Sequence, residues 1–380
     1  MELRIDPLVV FNAHLLTDAA TYRSAGISVY LSNLLRQLAH VNDGLRYHVL
    51  LGDGRLPEGA EGLPASRSAV HTRRPLVRVL WEQSVLPVVL RRLHADLLHA
   101  PAFVGPLLAP CPQVITVHDL SFLRFPEFFR RGNRLYLSVM TRLTCRRAAA
   151  VIAVSDFTAG EVTTLLGVPA ERVHTIYHGV DPRFRPLPPQ DVARFRAEMG
   201  LPERFVLFLG TLEPRKNLLR LVRAFAQLRE PDLHLVLAGG RGWFYEEIFA
   251  EVERLALTER VHFPGYVTAE ALASWYNAAH AFAYVSTYEG FGIPVLEALA
   301  CGVPTLTAST TSLPEAAGEG ALTVPPDDEP AIVEGLRRLL SDEALRAALR
   351  GRGLAHAARF SWNETARQTI ELYRQILALA

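Results

Sequence analysis

The residues best suited to chemistry lie in YEGFGIPVLEALACGVP, residues 288–304. Glu289 and Glu297 are separated by seven residues. Between them, Gly290 and Gly292 leave room for backbone to approach a ligand, and Pro294 supplies the fixed φ that suits the first turn of a helix. The pattern predicts a loop turning into a helix, with Glu289 in the loop and Glu297 about one turn in. Free N–H groups at the helix start would then face any phosphate placed there. Such a stretch can read polyol hydroxyls and phosphate. It can equally be a capped helix whose first glutamate favours the dipole and whose second is solvated.

A second cluster follows a strand-like run in FVLFLGTLEPRKN, where Gly210 opens a turn and Arg215 and Lys216 stand just before a helical pattern. Two cations at a helix start are suited to stabilise charge developing on a leaving diphosphate. Lys216 is the only lysine among 40 basic residues. A compact ammonium on a flexible stem and a planar guanidinium are not interchangeable against a phosphate. In VITVHDLSF, His118 and Asp119 lie just past another strand-like run, either as acid-base machinery or as a hydrogen-bonding pair that shapes a cleft, the reading preferred for Asp119. Gly26, in RSAGISVYL, opens a helix where backbone could approach an anion. The chain has neither GxGxxG nor GxxxxGK[ST], which counts against a nicotinamide enzyme and a P-loop NTPase. No carboxylate cluster suited to Mg²⁺ stands between strand and loop, so a leaving-group site without metal or other cofactor is expected.

Short β-branched runs alternate with amphipathic helical stretches along the whole chain, which indicates parallel sheets covered by helices. Strands are expected at 8–11, 47–51, 69–71, 97–99, 114–117, 151–154 and 173–176, with helices at 27–40, 76–93, 134–149 and 156–166, the last capped by Ser155. Pro182, Pro186, Pro188 and Pro189 make the next stretch incompatible with a helix or central strand. The alternation then restarts at 205–209. Two doubly wound α/β units in tandem are the simplest architecture, and facing sheets of this kind would hold a ligand cleft between them. The expected division is a first Rossmann-like domain at 1–183, a linker at 184–199 and a second domain at 200–360.

At 380 residues the chain is long enough for two cores, and 49% apolar with 21% charged residues fits a globular protein. The N-terminus lacks a signal-peptide pattern and no apolar run reaches the length of a membrane span. Cys111, Cys145 and Cys301 are odd in number and far apart, so reduced thiols in the cytoplasm are expected. No nucleic-acid partner is expected. The net charge of +1 conceals an asymmetry, since residues 1–180 carry 19 Arg against 14 Asp and Glu. Arg124, Arg130, Arg131, Arg134, Arg142, Arg146 and Arg147 interleave with Phe122, Phe125, Phe128, Phe129 and Tyr136. This is either a solvated arginine-rich face or a surface for anionic lipid headgroups over 122–147.

Taken together, EGFGIPVLEALACGVP, GTLEPRKN, VHD, AVSDFT, HGVD and SLPEAAGEGAL resemble the retaining glycosyltransferases of family 4, in the family's order and over nearly the whole chain. The resemblance implies the two-domain GT-B fold, with a final helix at 361–380 returning to the first domain. It implies that Glu289 contacts the donor sugar, that Glu297 contacts the nucleoside ribose, and that Arg215 and Lys216 hold the diphosphate. Gly210, Gly290, Phe291 and Gly292 would line the donor, with His118 near the transferred sugar and Gly26 close to the phosphates. Family members retain configuration by front-face attack without an established protein nucleophile, so none is assigned. PRKN, GWFYEEIF and HDLSFLRFPEFF are most similar to the bacterial mannosyltransferase-type branch, which implies GDP-mannose as donor and a saccharide or lipid-linked acceptor at the cytoplasmic membrane face. The readings weighed against this are a GT-B epimerase or phosphorylase, and a non-catalytic nucleotide-sugar-binding protein.

Overall fold

A computed structural model of the chain describes residues 6–16, 25–41, 43–72, 74–129 and 131–379. Arg130 of the basic segment, and Arg23 and Ser24 of the turn before Gly26, lie outside the described residues. The chain forms two compact units, one running to Gly179 and including the part from Trp362 onward, the other spanning Val180–Ser361. It passes between them at two places that lie close together, for the Val180 N–H donates to the Phe360 carbonyl at 3.1 Å.

The first unit holds a seven-stranded parallel sheet in the order β3-β2-β1-β4-β5-β6-β7. Its strands are β1 (Leu8–Ala13), β2 (Arg46–Leu51), β3 (Ala65–Arg67), β4 (Leu97–Ala100), β5 (Gln113–Val117), β6 (Ala150–Ala153) and β7 (Val173–Thr175). Every residue of β1, β4, β5 and β6 is buried. These strands therefore read as continuous apolar runs, as expected for strands covered by helices on both faces. One core joins β1 to the helix Ala25–Leu38 and to the last helix, Trp362–Leu379, through Phe11, Tyr30, Leu34, Trp362, Ile370 and Tyr373. Fully burying side chains of this size is worth about 1.5–3 kcal/mol each. Four polar side chains inside this core bond one another: His99 bonds Tyr373 and, at 2.8 Å, Thr116, which also meets the Tyr30 hydroxyl at 3.2 Å. Burial, followed by the nearby His118, pushes the His99 imidazole down to about 3, so it stays neutral.

The second unit holds a six-stranded parallel sheet, β10-β9-β8-β11-β12-β13. Here the strands are β8 (Arg204–Leu209), β9 (Leu233–Ala238), β10 (Val261–Gly265), β11 (Ala281–Tyr284), β12 (Thr305–Ala308) and β13 (Ala321–Val324). The chain winds outward from β8 through β9 to β10, then returns to the other side of β8 with β11. The loops leaving β8 and β11 therefore diverge at the point where strand order reverses, the place in such sheets where ligands bind. The helix Leu218–Ala226 after β8 buries Leu218, Leu221, Val222 and Phe225, spaced to form one face. Two doubly wound parallel sheets are the expected α/β architecture.

Local expectations differ from the structure at five places, one of them the expected helix at 156–166, which passes into a π turn at Val162–Leu166. The third strand lies at Ala65–Arg67 instead of 69–71, because pairing of Val49 with Ala65 sets an exposed edge that β propensity does not mark. The expected helix at 76–93 is interrupted by a π turn at Trp81–Val85. Pro87 follows it, and a proline both lacks an N–H and crowds the carbonyl four residues earlier, so the wider turn relieves the conflict. Pro189 does not exclude a helix but starts one, Pro189–Met199, because its missing N–H costs nothing at the first helical position. Phe122, expected on a basic-aromatic surface, is buried in the core with Val117 and Leu120. Arg124, Arg142 and Arg146 bond Glu161 and the carbonyls of Leu165 and Leu166 respectively.

The loops after β8 and β9 are joined by Gly210 N–H to the Ala238 carbonyl (3.0 Å) and Leu212 N–H to the Gly240 carbonyl (2.9 Å). This closeness requires Gly239, at φ +146°, where an added Cβ would lie 1.9 Å from the Gly210 carbonyl oxygen. We expect Gly239→Ala to lower the unfolding free energy by at least about 2 kcal/mol in urea denaturation. The helical Gly351, where a Cβ would meet nothing within 4 Å, should instead tolerate alanine with a gain of up to about 1 kcal/mol.

Candidate active site

The loop after β8 carries its two cations on a tight 3₁₀ turn, Pro214–Lys216. Asn217 then takes the left-handed conformation at φ +60° and turns the chain into the next helix. Its side-chain amide donates to the Val285 carbonyl (3.0 Å) and the Pro326 carbonyl (2.6 Å). The loop after β11 meets this turn directly, with Thr287 N–H donating to the Arg215 carbonyl at 2.9 Å. Two segments about 70 residues apart in sequence are thereby held in contact at the reversal of strand order.

At that contact the Lys216 ammonium donates to Glu289 Oε1 (2.6 Å) and to the Tyr284 hydroxyl (2.7 Å). Tyr284 also donates to Glu289 Oε1 at 3.0 Å. Arg215 reaches Glu289 Oε2 at 3.1 Å and the Tyr288 carbonyl at 2.8 Å, while Glu213 Oε1 receives its Nη2 at 2.8 Å. Lys216, Glu289 and Glu213 are all buried. Burial alone would push the Glu289 carboxyl up. The charges of Lys216 and then Arg215 outweigh it and hold the group down at about 2. Burial draws the Lys216 ammonium below its ordinary range, opposed by Glu289. Removing one partner from such a buried group costs about 3–5 kcal/mol, because the remaining charge is left uncompensated.

The backbone of Glu289 is fixed from the segment after β12. Ser312 Oγ donates to its carbonyl at 2.9 Å, and its N–H donates to Thr311 Oγ1 at 3.3 Å. Gly292, at φ +106°, precedes the helix Ile293–Ala300, and a Cβ there would lie 2.8 Å from Leu313 Cδ2. Phe291 is buried beside it. Glu297 sits within the helix and accepts a hydrogen bond from the Tyr276 hydroxyl at 2.8 Å. Burial pushes its carboxyl up to about 7, an effect that the Tyr276 hydrogen bond and Arg183 only partly oppose. The two glutamates thus differ in state: Glu289 is anionic between two cations, and Glu297 is poised to exist in either form near neutral pH.

In the first unit, His118 follows β5, and its Nε2–H donates to the Pro101 carbonyl at 2.8 Å. Burial lowers its pKa. Asp119 accepts from the Ser121 N–H at 2.9 Å, a turn-shaping role. Gly26 lies in the first turn of the helix Ala25–Leu38, with nothing within 4 Å of an added Cβ. Within the second unit, Gly210, Arg215, Lys216, Glu289, Gly290, Phe291, Gly292 and Glu297 all belong to the loops at the reversal point or the helix that follows.

Sequence reasoning missed Tyr284, Glu213, Asn217 and Tyr276, which hold the charged groups in place. Tyr284 could have been found as the last residue of a buried strand immediately before the loop. Tyr276 carries no such signal, being an aromatic in an ordinary apolar helix pattern. Also missed was a group at the end of β1. There His14 stacks on Trp81 at 3.8 Å between ring centroids, and Asn12 donates to the buried Glu82 at 3.3 Å. Burial pushes the Glu82 carboxyl up to about 7. Both ring nitrogens of His14 are buried without a hydrogen-bond partner among the described residues. Leaving such a group unsatisfied costs about 1–3 kcal/mol.

The fold has close counterparts of known structure. Sucrose-phosphate synthase from Thermosynechococcus elongatus superimposes with a TM-score of 0.82 at 23% identity, covering 99% of this chain and 100% of that one. Anabaena HepE, in complex with UDP-glucose, gives a TM-score of 0.77 at 21% identity, covering 97% and 99%. These likenesses define a GT-B fold. Residues 24–184 match Glycosyltransferase Family 4 and residues 190–355 match Glycosyl transferases group 1. The chain is also 31% identical over 380 aligned positions to the O-antigen chain mannosyltransferase B of Escherichia coli, covering 94% of this chain and 98% of that protein. It belongs to glycosyltransferase family 4 and is a glycosyltransferase of the mannosyltransferase type.

The raised pKa of Glu297 has a thermodynamic consequence. Between the ordinary carboxyl range and about 7, the folded state binds more protons at this site than the unfolded state, so its contribution to stability falls as pH rises through that window. We expect Glu297→Gln to lose less stability than the parent chain between pH 5 and pH 8 in urea denaturation, with the difference concentrated below about pH 7.

Proposed function

We propose that this glycosyltransferase moves a mannosyl group from GDP-mannose, with retention of configuration and without metal, to a saccharide or lipid-linked acceptor in surface-polysaccharide synthesis. The observation that carries the reading is the Arg215–Lys216–Glu289 group at the reversal of strand order. In this reading Arg215 and Lys216, with the start of the helix Ile293–Ala300, receive the diphosphate. Glu289 accepts from donor-sugar hydroxyls and Glu297 from the ribose. His118 meets the transferred sugar through its remaining ring nitrogen, and Gly26 lets backbone approach the phosphates. The bond from the anomeric carbon to the diphosphate oxygen breaks as the acceptor hydroxyl attacks on the same face, its proton passing to the departing oxygen. The cations act by stabilising the negative charge that develops there. The mannosyl donor is supported by likeness to an O-antigen mannosyltransferase, and a nucleotide-sugar donor by the UDP-glucose complex of HepE.

Incubation of the purified chain with GDP-mannose and a lipid-linked acceptor extract should yield mannosylated product in the presence of EDTA, with the α-anomer retained by NMR. Neither transfer nor slow donor hydrolysis with GDP-mannose or UDP-glucose would sink the reading. Lys216→Arg and Glu289→Gln should each lower kcat roughly 100-fold or more. Unchanged kinetics for both variants would move the site elsewhere.

We also propose that the chain binds the cytoplasmic membrane face peripherally. On the helix Arg131–Arg147, the exposed Leu135, Val139 and Leu143 recur every four residues, with Arg131 and Arg134 exposed near them in sequence. Leu76 and Leu80 add exposed apolar surface on Pro75–Leu80. An apolar stripe beside guanidinium groups suits anionic headgroups. Co-sedimentation with phosphatidylglycerol vesicles at low salt should be strong, should weaken in 0.5 M salt, and should fall severalfold in Leu135→Asp.

A further inference from the structure

The first unit contains a cavity of about 210 Å³ that none of the roles above uses. It opens beside the end of β1 and is walled by Leu50, Trp81, Val85 and Val89, with His14 inside it and Arg67 among its lining residues. This volume is far above the 10–15 Å³ or so that holds a single water. Most of the wall is apolar. Ser66, Arg67 and Ser68 add polar groups at its rim, whereas His14 is the buried one: it is only 7% exposed and lines the cavity, and both ring nitrogens lack a hydrogen-bond partner among the described residues. Buried polar atoms in folded proteins are nearly always paired, so an orphaned imidazole in a cavity marks a place for a ligand.

Two features define the ligand chemistry. The imidazole is kept neutral, since burial and the nearby Arg78 push it down to about 4. A neutral imidazole presents one donor and one acceptor, and a hydroxyl can satisfy either. The flanking indole of Trp81 and the side chains of Val85 and Val89 offer an apolar surface to the C–H face of a ring. A small ring with an apolar face and hydroxyls at its edge is a pyranose.

Resting on the transferase reading, we propose that this cavity is a subsite for a neutral pyranose ring of the saccharide acceptor, with His14 as the residue that reads its hydroxyls. His14 is thereby a specificity determinant for the acceptor and takes no part in donor binding.

Saturation-transfer NMR of the full chain with methyl α-mannopyranoside, methyl α-glucopyranoside and methyl α-galactopyranoside tests this without requiring turnover. At least one glycoside should bind saturably. Ala69→Trp, which fills the cavity from its exposed rim, should abolish that binding, and His14→Phe, which keeps the stack on Trp81 but removes the polar atoms, should weaken it at least tenfold. GDP binding by both variants, at parental affinity, verifies that they are folded. In transfer assays the acceptor KM should rise at least tenfold while the donor KM is unchanged. Absence of glycoside binding to the parent chain, equal binding by parent and both variants, or displacement of the glycoside from the cavity by a short prenyl alcohol would each overturn the proposal. If transfer is normal in Ala69→Trp with an unchanged acceptor KM, the subsite is refuted and the transferase reading stands. If the parent chain binds glycoside but transfers nothing from any donor, the transferase reading fails and the acceptor assignment falls with it.

Discussion

A lysine ammonium almost excluded from water can remain charged only if an anion lies against it, and in the second unit that anion is Glu289. The Lys216–Glu289 contact of 2.6 Å joins the loop after β8 to the loop after β11, and much nearby detail serves it. The left-handed Asn217 turns the chain so that the ammonium faces the other loop. Thr287 locks the two backbones together, and Ser312 fixes the Glu289 backbone from a third segment by donating to its carbonyl. Stability alone does not explain such a group. Replacing a buried ion pair with well-packed apolar side chains is often neutral or favourable. The second cation, Arg215, spans both carboxylates, bonding Glu213 and Glu289.

The same stretch of chain holds two carboxylates in opposite electrostatic situations. Glu289 lies between two cations, and its proton affinity is depressed despite burial. Glu297, eight residues further along, has a phenol as its hydrogen-bond partner, so burial dominates and its proton affinity rises. Residue type is identical and environment sets the difference, the general means by which one fold assigns separate roles to like groups. The anionic glutamate acts as a permanent hydrogen-bond acceptor and as a brace for the cations. The second, with its pKa raised to about 7, can donate or accept near neutral pH.

Much of this was legible in the sequence because the signals were local. Alternation of apolar runs gives two parallel sheets, the glycines of EGFG mark a loop-to-helix transition, and a lone lysine among arginines marks the cation that is buried. What remained hidden depended on contacts across the fold. The link from Asn217 to Pro326 spans 109 residues, and no pattern near either residue announces it. The π turn at Trp81–Val85 and the helix starting at Pro189 show how a proline's effect depends on its helical position, which local composition does not state. Phe122 shows the same limit, since an aromatic flanked by arginines reads as surface until the packing of Val117 and Leu120 encloses it.

The solitary lysine acquires its reason from packing. Arg215 already places a planar fork against Glu213, the Tyr288 carbonyl and Glu289, filling the in-plane donor directions on that side. On the other side, the Lys216 ammonium bonds Glu289 Oε1 and the Tyr284 hydroxyl, with the Tyr284 ring centroid 5.1 Å away. An ammonium fits there as a point charge with three rotatable donors, and a second guanidinium would have to displace either the ring or the first fork. The arrangement also draws the ammonium below its usual proton affinity, with Glu289 opposing the fall. If an anionic diphosphate approached, it would add to that opposition and hold the proton more firmly. The charge at Lys216 would then be more secure than with Glu289 alone.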